Sequence, residues 1–180
     1  MPVCATDCTD QLGTLNFGCK PTIYNGEITR IYLAEIGKPI SDASDPAAWA
    51  ARIDNTGVAT DYILEFIVTG EKPAPESTEE RLAGGFIVSG KKDHTVPFTI
   101  HDMTAENYAW AKQNECGGKY LAYYGTEDCL FGGEDDVSDG IEVSIKMDPI
   151  VPLSNKEFKS FTGEMKWEGY TPCMIPNVIA

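Results

Sequence analysis

The sequence predicts a mainly β fold of the α+β kind: a β-sandwich or barrel with one principal flanking helix at about 103–115 and a short helix at about 45–52. Three observations carry this. Runs rich in β-branched and aromatic residues recur along the chain between turn residues, only two segments carry helix-start chemistry, and no repeat, linker or shift in composition divides the 180 residues. A chain of that length can bury a core of its own. The expected organisation is a cysteine-bearing N-terminal arm, 1–22, one β-rich domain, 23–170, and a C-terminal tail, 171–180.

The elements follow in order. EITRIYLAEI, 27–36, is bounded by Asn25-Gly26 and Gly37 and reads as a strand. SDASDPAAWAAR sets Asp45 as N-cap and Pro46 at the first helical position, with a turn expected at 55–57. DYILEFIVTGEK alternates, with both faces expected to be partly covered. KPAPESTEE, with Pro73 and Pro75, reads as an exposed loop. RLAGGFIVSGKKDHTVPFTIHD reads as a strand bent at Gly84-Gly85, a turn near Gly90 to Asp93, and a further strand through Phe98 and Ile100. MTAENYAWAKQNECGG is the best helix: Thr104 is its N-cap, Gly117-Gly118 stops it, and Trp110 is expected to anchor the core. KYLAYYG and CLFGG read as hairpin arms, and IEVSIKMDPIVPL and EFKSFTGEMKWEGY as two strands about a turn at 154–156, with Pro149 and Pro152 marking an edge or interruption. TPCMIPNVIA reads as an extended tail that docks, a neighbouring copy being one place for it.

Fourteen basic residues against twenty-eight acidic ones leave a net charge of −14. Such a chain repels phosphate backbones and anionic membranes, so nucleic-acid readout and membrane-surface binding are poor readings of its function. The start, MPVCATDCTD, has neither the basic flank nor the apolar run of a secretory signal, and the chain is expected to stay where it is made.

The six cysteines and two histidines build no convincing site. Cys4 and Cys8 have the spacing of one zinc-ligand pair, but Cys19 stands alone and His94 and His101 lie far away. The N-terminal thiols are read as free or paired by proximity. Cys116, Cys129 and Cys173 are read as reduced and buried. His94, behind Lys91, Lys92 and Asp93, is expected to be solvent-exposed, and His101 to serve capping or packing. Glu134, Asp135, Asp136 and Asp139 crowd GGEDDVSDG, but the register of an EF-hand is absent and a solvated acidic loop is expected. Phosphate-binding glycine loops and nucleophile elbows are missing. Hence no catalytic, cofactor-binding or metal residue is assigned, and no enzymatic activity is expected.

One resemblance adds to this reading. The run GGFIVSGKKDHTVPFTIHDMTAENYAWAKQNECGGKYLAYYGTEDCLFGG, followed by FTGEMKWEGY, resembles bacteriophage tail tube proteins in the layout of its strands, helix and hairpin. It covers roughly the last hundred residues. PISDASDPAAWAARI and the cysteine-bearing N-terminus look similar to structural proteins of phages infecting Bacteroidetes. The resemblance implies a subunit that assembles with itself into a ring, a hexamer in that family, and with other virion proteins. It implies a place in the virion tail after assembly in the host cytoplasm, and a channel through which DNA passes without specific binding. The arms 1–22, 70–82 and 171–180 would lock subunits together. Two alternatives stay open: another virion component (head decoration, collar or tail-hub protein), or a secreted module stapled by disulfides with calcium at 132–140.

Overall fold

In IEVSIKMD the apolar residues Ile141, Val143, Ile145 and Met147 are buried while the residues between them are exposed, the period-two pattern of a strand with one face on a core. The same logic runs through a computed structural model of the chain, which describes residues 26–53, 61–81, 87–101, 104–150 and 160–179. Its strands are β1 (Ile28–Ala34), β2 (Leu64–Gly70), β3 (Glu76–Arg81), β4 (Ile87–Ile100), β5 (Gly118–Gly125), β6 (Cys129–Gly132), β7 (Ile141–Ile150), β8 (Ser160–Gly169) and β9 (Cys173–Pro176). Two helices, α1 (Pro46–Ile53) and α2 (Ala105–Gln113), and a 3₁₀ turn (Val137–Asp139) complete it. The fold is mainly β with a few helices, as expected, and of the two expected architectures it is the barrel.

Six strands run in the order β1-β2-β4-β8-β7-β5, and β5 returns to β1, with Tyr32 opposite Tyr123, so the sheet closes on itself. Every pairing is antiparallel. The interior is filled by inward side chains, among them Ile31, Phe66, Phe98, Ile145, Phe161 and Met165. A barrel of so few strands has room for side chains and little else.

A second core covers the outer face of β1 and β5. Tyr32, Ala34, Leu121 and Tyr123 point away from the barrel and are buried beneath Trp49 of α1, Ile40, Leu130 and Val137. Trp49 is wholly buried, its ring 5.1 Å from those of both Tyr32 and Tyr123, and its Nε1 donates to the Ala43 carbonyl. The Tyr123 hydroxyl accepts from the Ile40 amide at 3.0 Å and donates to the Ser138 carbonyl at 2.8 Å, joining the segment before α1 to the 3₁₀ turn. Arg52 secures the same segment from the other side by donating to the carbonyls of Lys38, Pro39 and Asp61. Helix α1 begins as expected, with the Asp45 carboxylate accepting from the Ala47 amide.

Helix α2 joins the end of β4 to the start of β5 and so crosses one mouth of the barrel. Thr104 Oγ1 accepts from the Asn107 amide at its start. At its end, Asn114 accepts from the Tyr120 hydroxyl, and Gly117 turns the chain with φ +93°, a value that favours glycine. Ala111 is buried and Trp110 is half-buried, stacked in a tilted way on Phe66 at 4.9 Å. Trp110 therefore does anchor the helix to the core.

Five expectations are corrected or sharpened. The turn near Gly90 to Asp93 lies inside β4, because Lys92 and Asp93 are paired on both sides, to Ser77 and Glu76 of β3 and to Gly169 and Glu168 of β8. Tertiary pairing overrides the local turn signal. For the same reason His94 is buried, 1% exposed. Part of the segment read as a loop is strand β3, since the prolines disrupt only 71–75 and pairing resumes at Glu76. Strand β2 is not covered on both faces: Phe66 and Val68 point inward, while Ile67 is 74% exposed. The C-terminal tail docks on its own chain, β9 pairing with β6 from Cys173 opposite Gly132 to Pro176 opposite Cys129. The turns at 55–57 and 154–156, Gly84-Gly85 and Pro152 lie outside the described residues; Pro149 sits near the end of β7, opposite Phe161.

Gly163 tests how tightly the interior is filled. A Cβ there would stand 2.5 Å from Phe98 Cζ and 2.8 Å from Met147 Cγ. Gly163→Ala is expected to destabilise the fold by about 1–3 kcal/mol through overpacking, read as a lower urea midpoint at unchanged slope. An unchanged midpoint would mean that the barrel has slack.

Candidate assembly surface

Strands β2 and β3 are two parts of one line, both antiparallel to β4 and interrupted by residues 71–75 with Pro73 and Pro75. Together with the long β4 they make a hairpin whose base belongs to the barrel. Strand β8 stops opposite Lys92 at Gly169. Residues 87–91 of β4 and their β3 partners thus extend beyond the last barrel pairing by about 16 Å at the usual rise of ~3.3 Å per residue. Among the described residues, the outer edge of β3 has no strand partner.

The hinge of this hairpin rests on an aromatic cluster at the barrel mouth opposite α2. His94 stacks flat on Trp167, with centroids 4.7 Å apart and planes 3° from parallel. Lys72, in the interrupting segment, places its Nζ 5.8 Å from the Trp167 centroid, a cation–π distance. Tyr124 lies beyond, 6.3 Å from Trp167 and stacked on Phe131 at 4.8 Å. Among the described residues neither ring nitrogen of His94, nor the Tyr124 hydroxyl, has a hydrogen-bond partner. Burial, then the Lys72 and Lys92 charges, push the His94 pKa below its ordinary value, with Asp93 opposing. Burial likewise lowers Lys72, with Lys92 adding to it, and holds the Tyr124 phenol far above the usual range.

Elsewhere the surface is polar. The outward faces of β7 and β8 carry Glu142, Lys146, Asp148, Glu164 and Lys166, with ion pairs Lys146–Asp148 and Lys166–Glu164 that are too exposed to add much stability. Large exposed apolar side chains gather around the α2 end of the barrel: Ile36, Tyr62, Tyr108 and Ile150.

Residues singled out in the sequence fall as follows. Asp136 serves as a cap, its carboxylate accepting from the Ser138 amide, while Glu134, Asp135 and Asp139 are exposed. Among the described residues no three His, Cys, Asp or Glu side chains are grouped to hold a metal ion. His101 is exposed at the end of β4, far along the strand from His94. Cys4, Cys8 and Cys19 lie outside the described residues. The expectation that the other three cysteines are reduced and buried holds only for Cys129: Cys116 is an exposed free thiol, and Cys173 is buried but disulfide-bonded. The hinge cluster was missed by sequence reasoning because its members are far apart in the chain and the local signal around His94 was that of a turn.

No protein-family model, no curated protein and no solved structure matches this chain.

The three thiol environments predict a graded reactivity. Cys116 should alkylate readily in the native protein. Cys129 should do so only on unfolding, because it is inaccessible and burial and Asp128 raise its thiol pKa. Cys173 should be labelled only after reduction. Mass spectrometry of peptides labelled under native, denaturing and reducing conditions distinguishes the three, and labelling of Cys173 in denatured, unreduced protein would contradict its bonded state.

Proposed function

We propose that this chain is a non-enzymatic virion structural protein that self-assembles, a phage tail tube subunit whose rings stack around a DNA passage. The observation that carries the reading is the hairpin β3–β4, which runs past the end of the barrel with a strand edge that has no strand partner among the described residues. A lone two-stranded hairpin is at best marginally stable in water, so a projecting one is suited to pairing with another chain. Self-association is the reading that the resemblance supports, since the tail tube layout combines a barrel, a flanking helix and arms that bridge copies. The filled interior argues in the same direction: a barrel with no room for a ligand acts through its outside. The polar faces of β7 and β8 suit a lumen that DNA crosses without sticking, because like charge weakens phosphate contact. The acting residues in this reading are those of the hairpin edge and the apolar rim at the α2 end; the partner is a second copy of the chain, and the location is the virion tail.

A second reading is favoured by Cys173. A disulfide-bonded cysteine fits an oxidising environment better than a reducing cytoplasm, and so suits a secreted, disulfide-stapled binding module or an external virion part such as a head decoration protein.

Electron microscopy over a range of concentrations, with mass in solution, separates these readings. Rings or tubes with a central channel are expected for the native chain. A variant with residues 77–91 replaced by an Asn-Gly turn is expected to keep a cooperative melt and to remain monomeric. A native chain that stays monomeric at every concentration would overturn the tube reading, and rings formed equally well by the shortened variant would remove the hairpin from it.

A further inference from the structure

We propose that His94 is an acid-sensitive latch on the projecting hairpin: protonation of its buried ring sets a further positive charge beside Lys72 and Lys92, drives Lys72 off Trp167 and frees residues 71–75. The proposal rests on the geometry of the hinge and holds whichever partner the hairpin meets. His94 is 1% exposed and, among the described residues, has no hydrogen-bond partner on either nitrogen. An imidazole in that position is tolerated as a flat neutral ring on Trp167 and poorly tolerated as a cation, because the charged form loses its hydration and receives no acceptor in return.

The groups that bear on its charge can be named. On β4 they are Lys92 and Asp93, and on the hinge Lys72. Strand β8 presents Trp167 to the ring and keeps Glu168 exposed to solvent. Strand β5 contributes the Tyr124 phenol beyond Trp167, neutral in this range. Two cations oppose one carboxylate, so the balance around a protonated His94 is repulsive. Of the two lysines, Lys92 sits on a strand paired at both edges, whereas Lys72 sits in a segment without strand pairing, tied down by the Lys72 contact with Trp167 and by one long backbone hydrogen bond, the Glu71 amide donating to the Pro97 carbonyl at 3.4 Å. The segment carrying Lys72 is therefore the one that yields, and it is the segment joining β2 to β3.

The direction with pH follows from linkage. Because the folded protein holds the His94 pKa below the unfolded value of about 6.5, the latched state binds fewer protons than the open one. The latch is fully closed above about pH 6.5 and opens as pH falls below it, toward and through the lowered value.

The test is hydrogen exchange by mass spectrometry on the full chain at pH 7.5 and 5.0, corrected for intrinsic exchange rates, with the His94 and His101 ring signals followed by NMR. Amides of residues 71–81 are expected to lose protection several-fold on acidification. Strand β7 should stay protected, and His94→Phe, which preserves a flat apolar ring, should hold the hairpin closed at both values. Should that variant fail to fold, Lys72→Met serves instead, since it removes the one cation carried by the segment 71–75 and leaves only Lys92, which its strand pairings hold in place. Three results would overturn the latch: unchanged protection at 71–81 while NMR shows His94 charged, loss of protection at 71–81 and β7 together, or acid release undiminished in Lys72→Met.

Discussion

The pairing of β1 with both β2 and β5 is the constraint on which the rest of the molecule depends. It converts an open sheet into a closed one, and it forces a seven-residue strand to serve two cores at once. Ile31 and Leu33 fill the barrel while Tyr32 and Ala34 face the layer built by α1 and the 3₁₀ turn. That is why β1 is buried on both faces although its neighbour β2 leaves Ile67 largely exposed to solvent. The hydrogen bonds of Tyr123 and Arg52 then hold the outer layer to β1 and β5, satisfying backbone groups that burial would otherwise strand.

Closure also explains where the molecule can act. The barrel interior is packed with side chains, and α2 covers one mouth of the barrel with Trp110 and Ala111. What remains is surface, and the hairpin is the part of it least satisfied by its own chain. Its edge is nonetheless guarded. Pro73 and Pro75 precede β3, and Glu76 and Glu79 line it, devices that discourage indiscriminate strand pairing. An edge that is exposed yet charged suits a partner with complementary charge and register better than it suits aggregation.

Much of the fold was legible in the sequence because it is written locally. Asp45-Pro46, Thr104 and Gly117 mark helix ends through contacts within a few residues, and the alternation in β7 needs only one strand to be read. The residues 90–93 were misread for the opposite reason: Gly90, Lys91, Lys92 and Asp93 have turn chemistry, and only partners some 16 and 76 residues away, Ser77 with Glu76 and Glu168 with Gly169, hold them extended. The same distance hid the hinge, since nothing near His94 in sequence announces Trp167 or Lys72. The disulfide state of Cys173 was hidden too, because spacing alone cannot choose among six cysteines.

The hinge also shows two scales of electrostatics in opposition. A net charge of −14 on its own favours protonation, since a proton is drawn toward an acidic molecule. At His94 the direction is the opposite one, because desolvation and then the charges of Lys72 and Lys92 act locally, while the diffuse negative charge is screened over a Debye length of about 8–10 Å. Local geometry wins over global composition. The lysines Lys72 and Lys92 at the root of the projecting hairpin, in a chain of net charge −14, are what would give a buried imidazole there a mechanical consequence that an exposed one such as His101 lacks.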